Sequence, residues 1–166
     1  MHDAAALRNP LFISTFAKTK RLRMGKNKMR PKKANALKEV LDDYEAQLRS
    51  KQYKYDRIDD STLLLPLVGK IHVMTFERHD ADFLRVFALF QGHDFKCSRS
   101  TLLESCNQIN YDTKVVKVYL DEDGDVEISA EMFLDRSRYF AEIFQRHIST
   151  IDSCAMKLMR LTRPRE

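Results

Sequence analysis

Outside the N-terminal segment, seven His and Cys side chains are the candidates for a zinc site: His72, His79, His93, Cys97, Cys106, His147 and Cys154. Zinc sites are built from close Cys pairs or from two His one helical turn apart, and neither spacing occurs among these seven. His93 and Cys97 can approach each other, but one pair is not a tetrahedral site. A buried cysteine behaves as a small apolar residue. Cys106 and Cys154 sit in or beside apolar stripes, so core packing is the expectation for both. The acidic run Asp121-Glu122-Asp123-Gly124-Asp125 invites a calcium reading. An EF-hand loop places glycine sixth and a bidentate Glu twelfth, whereas here glycine comes fourth and residue twelve is Met132. The run fits a hairpin turn better, with Gly124 where positive φ is needed.

Covalent and phosphate chemistry fare no better. No serine lies in a glycine-flanked elbow. The chain has four glycines, Gly25, Gly69, Gly92 and Gly124, and they form neither a G-x-G-x-x-G run nor a Walker loop. The adjacent carboxylates Asp59 and Asp60 read as turn formers. The expectation is a chain with no catalytic residues, no cofactor and no metal. An enzyme assembled from distant residues, such as Cys97 with His93, remains as a third reading. Fast labelling of Cys97 would mark it.

The elements that would position any site begin after a strongly basic segment. Residues 1–33 hold ten Lys or Arg and one acid (+9), and residues 34–166 hold 19 bases and 23 acids (−4), which together make the net +5. The basic isoelectric point therefore belongs to an arm, residues 1–32, and the remainder is mildly acidic. KTKRLRMGKNKMRPKK has no apolar periodicity and cannot offset its own ordering entropy by burial, so it is expected to be disordered when alone. Lys18, Lys20, Arg21, Arg23, Lys26, Lys28 and Arg30 would seek phosphate, on nucleic acid or on an anionic membrane surface. Two plainer readings stand beside this: a solvated tail without a partner, and synthesis from Met24 or Met29 instead, which intact mass would reveal.

The longest apolar run, Leu63 to Val68, is six residues, where a membrane-spanning helix needs about 20. Three widely spaced cysteines suit a reducing compartment better than a disulfide framework. A cytoplasmic chain is expected.

Residues 33–162 read as one α+β domain. Leu37, Val40, Leu41, Tyr44 and Leu48 form one helical stripe over about 33–50, with Pro31 at its start. Thr62 to Leu67, Lys70 to Glu77 and Phe83 to Phe90 read as three antiparallel strands joined by short turns. Pro66 places the end of the first on an edge. Ser98 or Ser100 can cap a helix to about Asn110, with Leu102, Leu103, Cys106 and Ile109 inward. Lys114 to Leu120 and Val126 to Ser129 form a hairpin, and Leu134 to Leu161 a long amphipathic helix. The order is α-β-β-β-α-β-β-α, a five-stranded antiparallel sheet flanked by helices.

Alternate positions of the three-stranded meander are apolar on both faces, so its second face is either core or surface kept for a partner. Phe76, Phe87, Phe90 and Tyr119 are the partner-binding candidates.

Element order and local patterns resemble the YbjN family, whose fold is similar to that of type III secretion chaperones. The resemblance is carried by the first helix ending in Leu48 and by YDRIDDSTLLLPLVGKIHVMTFERHDADFLRVFALFQ, in which Asp82-Phe83 enters the third strand. It continues in CNQINYDTKVVKVYLDEDGDVEI, where Asn107 and Asn110 mark the helix end before an acidic glycine hairpin. It covers about residues 33–160 and leaves the arm out. It implies the fold above, a tendency to form homodimers, and a role in binding an as yet unidentified protein or in regulation; it supplies no active-site residues.

Overall fold

The computed structural model describes residues 31–67, 70–77, 80–133 and 140–163. The basic side chains from Lys18 to Arg30, the turn at Val68-Gly69 and residues 134–139 lie outside these.

Helix α1 (Pro31–Ser50) opens on proline, whose missing N–H is no loss in a first turn. It buries Val40, Leu41, Tyr44 and Leu48. Gln52 stops it in the left-handed region at φ 59, and the Tyr53 N–H then donates to the Leu48 carbonyl at 3.0 Å.

Six strands follow: β1 (Asp56–Asp59), β2 (Thr62–Leu67), β3 (Lys70–Glu77), β4 (Asp80–Phe90), β5 (Val116–Leu120) and β6 (Val126–Phe133). They pair antiparallel in one sheet of order β1-β2-β3-β4-β6-β5. The sequence reading of five strands is corrected to six. The added strand is the exposed DRID segment. The Asp59 carboxylate turns the chain into β2 by accepting from the N–H and hydroxyl of Ser61. β1 pairs no further along β2 than Leu64, so the Pro66 end does lie on an edge, where no N–H is asked of it.

Between β4 and β5 the chain makes a 3-10 turn (Gly92–Phe95) and helix α2 (Arg99–Asp112). Ser98 caps α2 by accepting from the Thr101 N–H at 3.1 Å. Leu102, Cys106 and Ile109 are buried, but Leu103 is 46% exposed, which corrects its placement on the inner stripe. Helix α3 (Phe140–Leu161) buries Phe140, Phe144, Ile148, Ile151, Ala155 and Leu158.

The three described helices pack against one face of the sheet. That face presents Leu63 and Leu65 from β2, Met74 and Phe76 from β3, Leu84, Val86 and Ala88 from β4, and Val126, Ile128 and Ala130 from β6. Tyr44 of α1 ties the layers together, stacked on Phe76 at 5.2 Å and tilted on Phe140 at 4.3 Å. The acidic run is a hairpin turn, as its spacing predicts. Gly124 takes φ 84, and the Asp121 carboxylate accepts from the N–H groups of Asp123 and Asp125.

Candidate functional site

The opposite face of the sheet carries the remaining alternate side chains, and it divides in two. Over β2, β3 and β4 it is apolar, with Leu64, Val73 and Phe87 buried and Ile71 and Leu89 packed against them. Over β4, β6 and β5 it is ionic. Here cross-strand register sets the partners: Arg85 lies opposite Glu131, and Tyr119 lies opposite Glu127.

The ionic half is a connected network of charges and hydrogen bonds. The Arg85 guanidinium pairs with Glu127, donates to Tyr119 Oη at 2.7 Å and lies 3.7 Å from Glu131. Tyr119 Oη in turn donates to Glu127 Oε1 at 2.8 Å, and Lys117 pairs with Glu131 at the rim. Glu127 is only 3% exposed, so its charge needs these partners. Arg85 also lies over the Phe87 ring, 4.6 Å from its centroid, which joins the two halves. Between them Ser129 is fully buried, its hydroxyl without a hydrogen-bond partner among the described residues. At the far end Phe83 and Phe133 meet edge to face at 5.3 Å, and Phe133 is 74% exposed.

The four partner-binding candidates are split by this geometry. Phe87 and Tyr119 share the second face, Phe87 buried and Tyr119 at its margin. Phe76 is sealed in the helix-covered core at 2% exposure, so the expectation that it meets a partner is corrected: its strand phase turns it toward Tyr44. Phe90 is half-buried on that same side, with the Lys70 ammonium 5.8 Å from its ring centroid. Sequence reasoning missed Arg85, Glu127, Glu131 and Phe133. Their only local signal is charge and an aromatic ring in phase with Phe87 and Ser129 on alternating strands.

His79 lies outside the described residues, and the other metal and nucleophile candidates do not gather into a site. His93 is exposed beside Asp94. Cys106 is buried, and burial with Cys97 nearby pushes its thiol up to about 11, the opposite of an activated nucleophile. His147 shares a 2.6 Å hydrogen bond with the Ile143 carbonyl. His72 is fully buried under α3, its Nε2 3.4 Å from Asp152 Oδ1. Burial holds its pKa below the ordinary histidine value, and Asp152 only partly opposes this. Among the described residues, no three His, Cys, Asp or Glu side chains gather into a metal-sized group, and no helix is long and apolar enough to cross a membrane.

Residues 37–149 match the sequence profile of YbjN, described as "Putative bacterial sensory transduction regulator". The chain belongs to the YbjN family. The crystal structure of YbjN from E. coli, described as "a putative transcription regulator", superposes with a TM-score of 0.54 at 14% identity, covering 72% of this chain and 89% of that one. An uncharacterised protein from Methanothermobacter thermautotrophicus gives 0.54 at 11% identity, covering 74% and 96%. At such identities the likeness concerns the fold alone, and the YbjN fold is what these superpositions share. The ExsC-ExsE complex reaches 0.46 at 13% identity, covering 80% and 98%, a score too low to carry the chaperone likeness. A comparison with curated proteins finds no match.

Proposed function

We propose that this YbjN-family chain is a non-catalytic protein-binding module with a regulatory role, and that its partner docks on the β4–β6–β5 half of the second sheet face. One observation carries the reading. Phe133 leaves 74% of its surface in water on the same face as a network that already holds Arg85, Tyr119 and Glu127 in place. An exposed ring beside ordered Arg and Tyr is the composition of an interface centre, where the aromatic supplies burial and the polar groups fix orientation at little entropic cost. The occupant with matching chemistry is a protein segment offering an apolar side chain to Phe133 and charges to the Lys117–Glu131 rim.

The family's description as a transduction regulator supports regulation. A homodimer, a cytoplasmic setting and a chaperone-like mode of binding belong to the same reading; free thiols at Cys97, Cys106 and Cys154 suit a reducing compartment.

The test is affinity capture from the native cell at low and moderate salt, with the full chain and with Phe133→Ser. A protein held at moderate salt, lost with Phe133→Ser and rebound in purified form is the expected result. Capture indifferent to Phe133→Ser overturns the site. Nucleic acid held only at low salt transfers the function to the basic arm. Sedimentation of the full chain reads the dimer.

A further inference from the structure

His72 lies on β3 in phase with Met74 and Phe76, so it points into the helix-covered core, where it is 0% exposed. Neither ring nitrogen has a hydrogen-bond partner among the described residues, and a dry imidazole of this kind leaves its polar atoms uncompensated. β2 and β4 set Leu65 and Ala88 opposite it in register, and neither titrates. Its charged neighbours are Lys70 from β3 and Asp152 from α3. One carboxylate oxygen meets both bases. Asp152 Oδ1 accepts a hydrogen bond from Lys70 Nζ at 3.0 Å and lies 3.4 Å from His72 Nε2 without forming one. Neutral, His72 asks nothing of that oxygen. Protonated, it brings a second cation to an atom already engaged, and its Nδ1–H meets no acceptor among the described residues. Such a charge is costly until water reaches it, so protonation requires one wall of the site to move.

β3 is the firmer wall. It is paired with β2 from Lys70 to Thr75 and with β4 from His72 to Glu77. α3 has no ladder to break, and the stretch over His72 is poorly suited to a helix. Ser149-Thr150-Ile151-Asp152-Ser153 is a run of weak helix formers. Thr150 and Ser153 turn their hydroxyls back onto the Arg146 and Ser149 carbonyls, at 2.8 and 2.7 Å, a contact that slightly destabilises and bends helices. Beyond this stretch α3 is tied to α2 by Lys157 and Asp112, a partly exposed ion pair of small worth.

We propose that His72 is a proton-operated release for the C-terminal half of α3. When it takes up a proton, α3 bends at Ser149–Ser153, and the segment from Asp152 to Leu161 swings off β3 and opens Cys154, Ala155 and Leu158 to solvent. Burial holds the closed form neutral at ordinary pH, so release comes as pH falls. The device is independent of the docking face proposed above, because α3 covers the other side of the sheet.

Two native thiols report on it. Cys154 is buried on α3 at 2% exposure and Cys106 on α2 at 3%. In a Cys97→Ser parent, both are reacted with a dipyridyl disulfide, which labels thiols at acid pH, and mass spectrometry locates each adduct. The ratio of the two rates removes the pH dependence of thiol chemistry and any opening shared by the whole domain. In the released form His72 regains an ordinary pKa of about 6.5, so opening can grow at most about tenfold from pH 7.5 to 5.5. The Cys154-to-Cys106 ratio should rise several-fold over that span in the parent and stay level in His72→Leu. A ratio that stays constant in the parent denies a local release and overturns the proposal. An equal rise in His72→Leu places the proton elsewhere and overturns it too. If His72→Leu does not fold, His72→Gln, which has no titrating nitrogen, takes its place.

Discussion

The Asn110 carboxamide accepts a hydrogen bond from the Val118 N–H and donates one to the Val118 carbonyl, both at 2.8 Å. Val118 lies on β5, an edge strand, and these are the backbone groups that face away from β6. One side chain therefore stands in for a neighbouring strand at the middle of that edge. Open edges invite pairing with other chains, so this contact steers association away from β5 and leaves the second face as the surface on offer. Asn110→Ala should lose about 1–2 kcal/mol, the usual cost of two unmade backbone hydrogen bonds at a partly wet site. It should also promote self-association. Urea unfolding reads the first and sedimentation the second; an unchanged sedimentation profile would show that the edge needs no guard.

A second close approach locks the hairpin to the rest of the fold. The Gly92 N–H donates to the Asp125 carboxylate at 2.9 Å, and a Cβ on Gly92 would lie 2.1 Å from the Gly124 carbonyl oxygen. Backbone cannot step aside as a flexible side chain can. Gly92→Ala should therefore cost about 1–3 kcal/mol, the range for forced overpacking. Gly124→Ala has room for its Cβ but must hold φ 84, so about 1–2 kcal/mol of backbone strain is expected there. Denaturant midpoints of the two variants distinguish clash from strain by whether Gly92→Ser worsens the loss further.

Much of the fold is legible because burial imposes a period. The bounds of β2 and β3 follow from their own residues, and the stripes of α1 and α3 follow from 3.6-residue spacing. β1 is illegible for the same reason in reverse: DRID faces water at the sheet's edge, so no apolar alternation marks it. Val115 misleads differently. Its alternation with Lys117 and Tyr119 extends the strand back to Lys114, but the backbone there turns through φ 72, a region a β-branched residue rarely enters. The candidate site was the least legible part. Arg85 meets Glu127 and Glu131 only through the pairing of β4 with β6, and a turn, a helix and β5 intervene in sequence, so no local pattern fixes that register.

Buried His72 makes stability depend on pH. Lys70 and Asp152 are the charged groups that face it, from β3 and α3, and desolvation dominates to hold its folded pKa below the unfolded value. As pH falls below about 6.5 the unfolded chain takes up a proton that the folded chain refuses. Stability is therefore full above that pH and declines below it. The decline continues until the depressed folded pKa is reached. Urea midpoints at pH 7.5, 6.5 and 5.5 should show the fall in the native chain and a flatter profile in His72→Leu. Parallel profiles would place the acid sensitivity elsewhere.

The ion pairs of the second face should differ in worth according to burial. Lys117 is largely exposed, and an exposed pair contributes roughly 0–1 kcal/mol, so Lys117→Ala should barely move the urea midpoint. Arg85 is a cation beside Glu127, whose carboxylate is almost out of water. Removing it takes a charge partner from a carboxylate that solvent scarcely reaches, and a loss of about 3 kcal/mol is expected for Arg85→Ala. Glu127→Gln in the same chain removes that buried charge and should recover part of that loss. The double-mutant cycle measures the coupling directly. If Arg85→Ala proved as mild as Lys117→Ala, the network would be ornament on the sheet rather than the rigid ground against which Phe133 meets a partner.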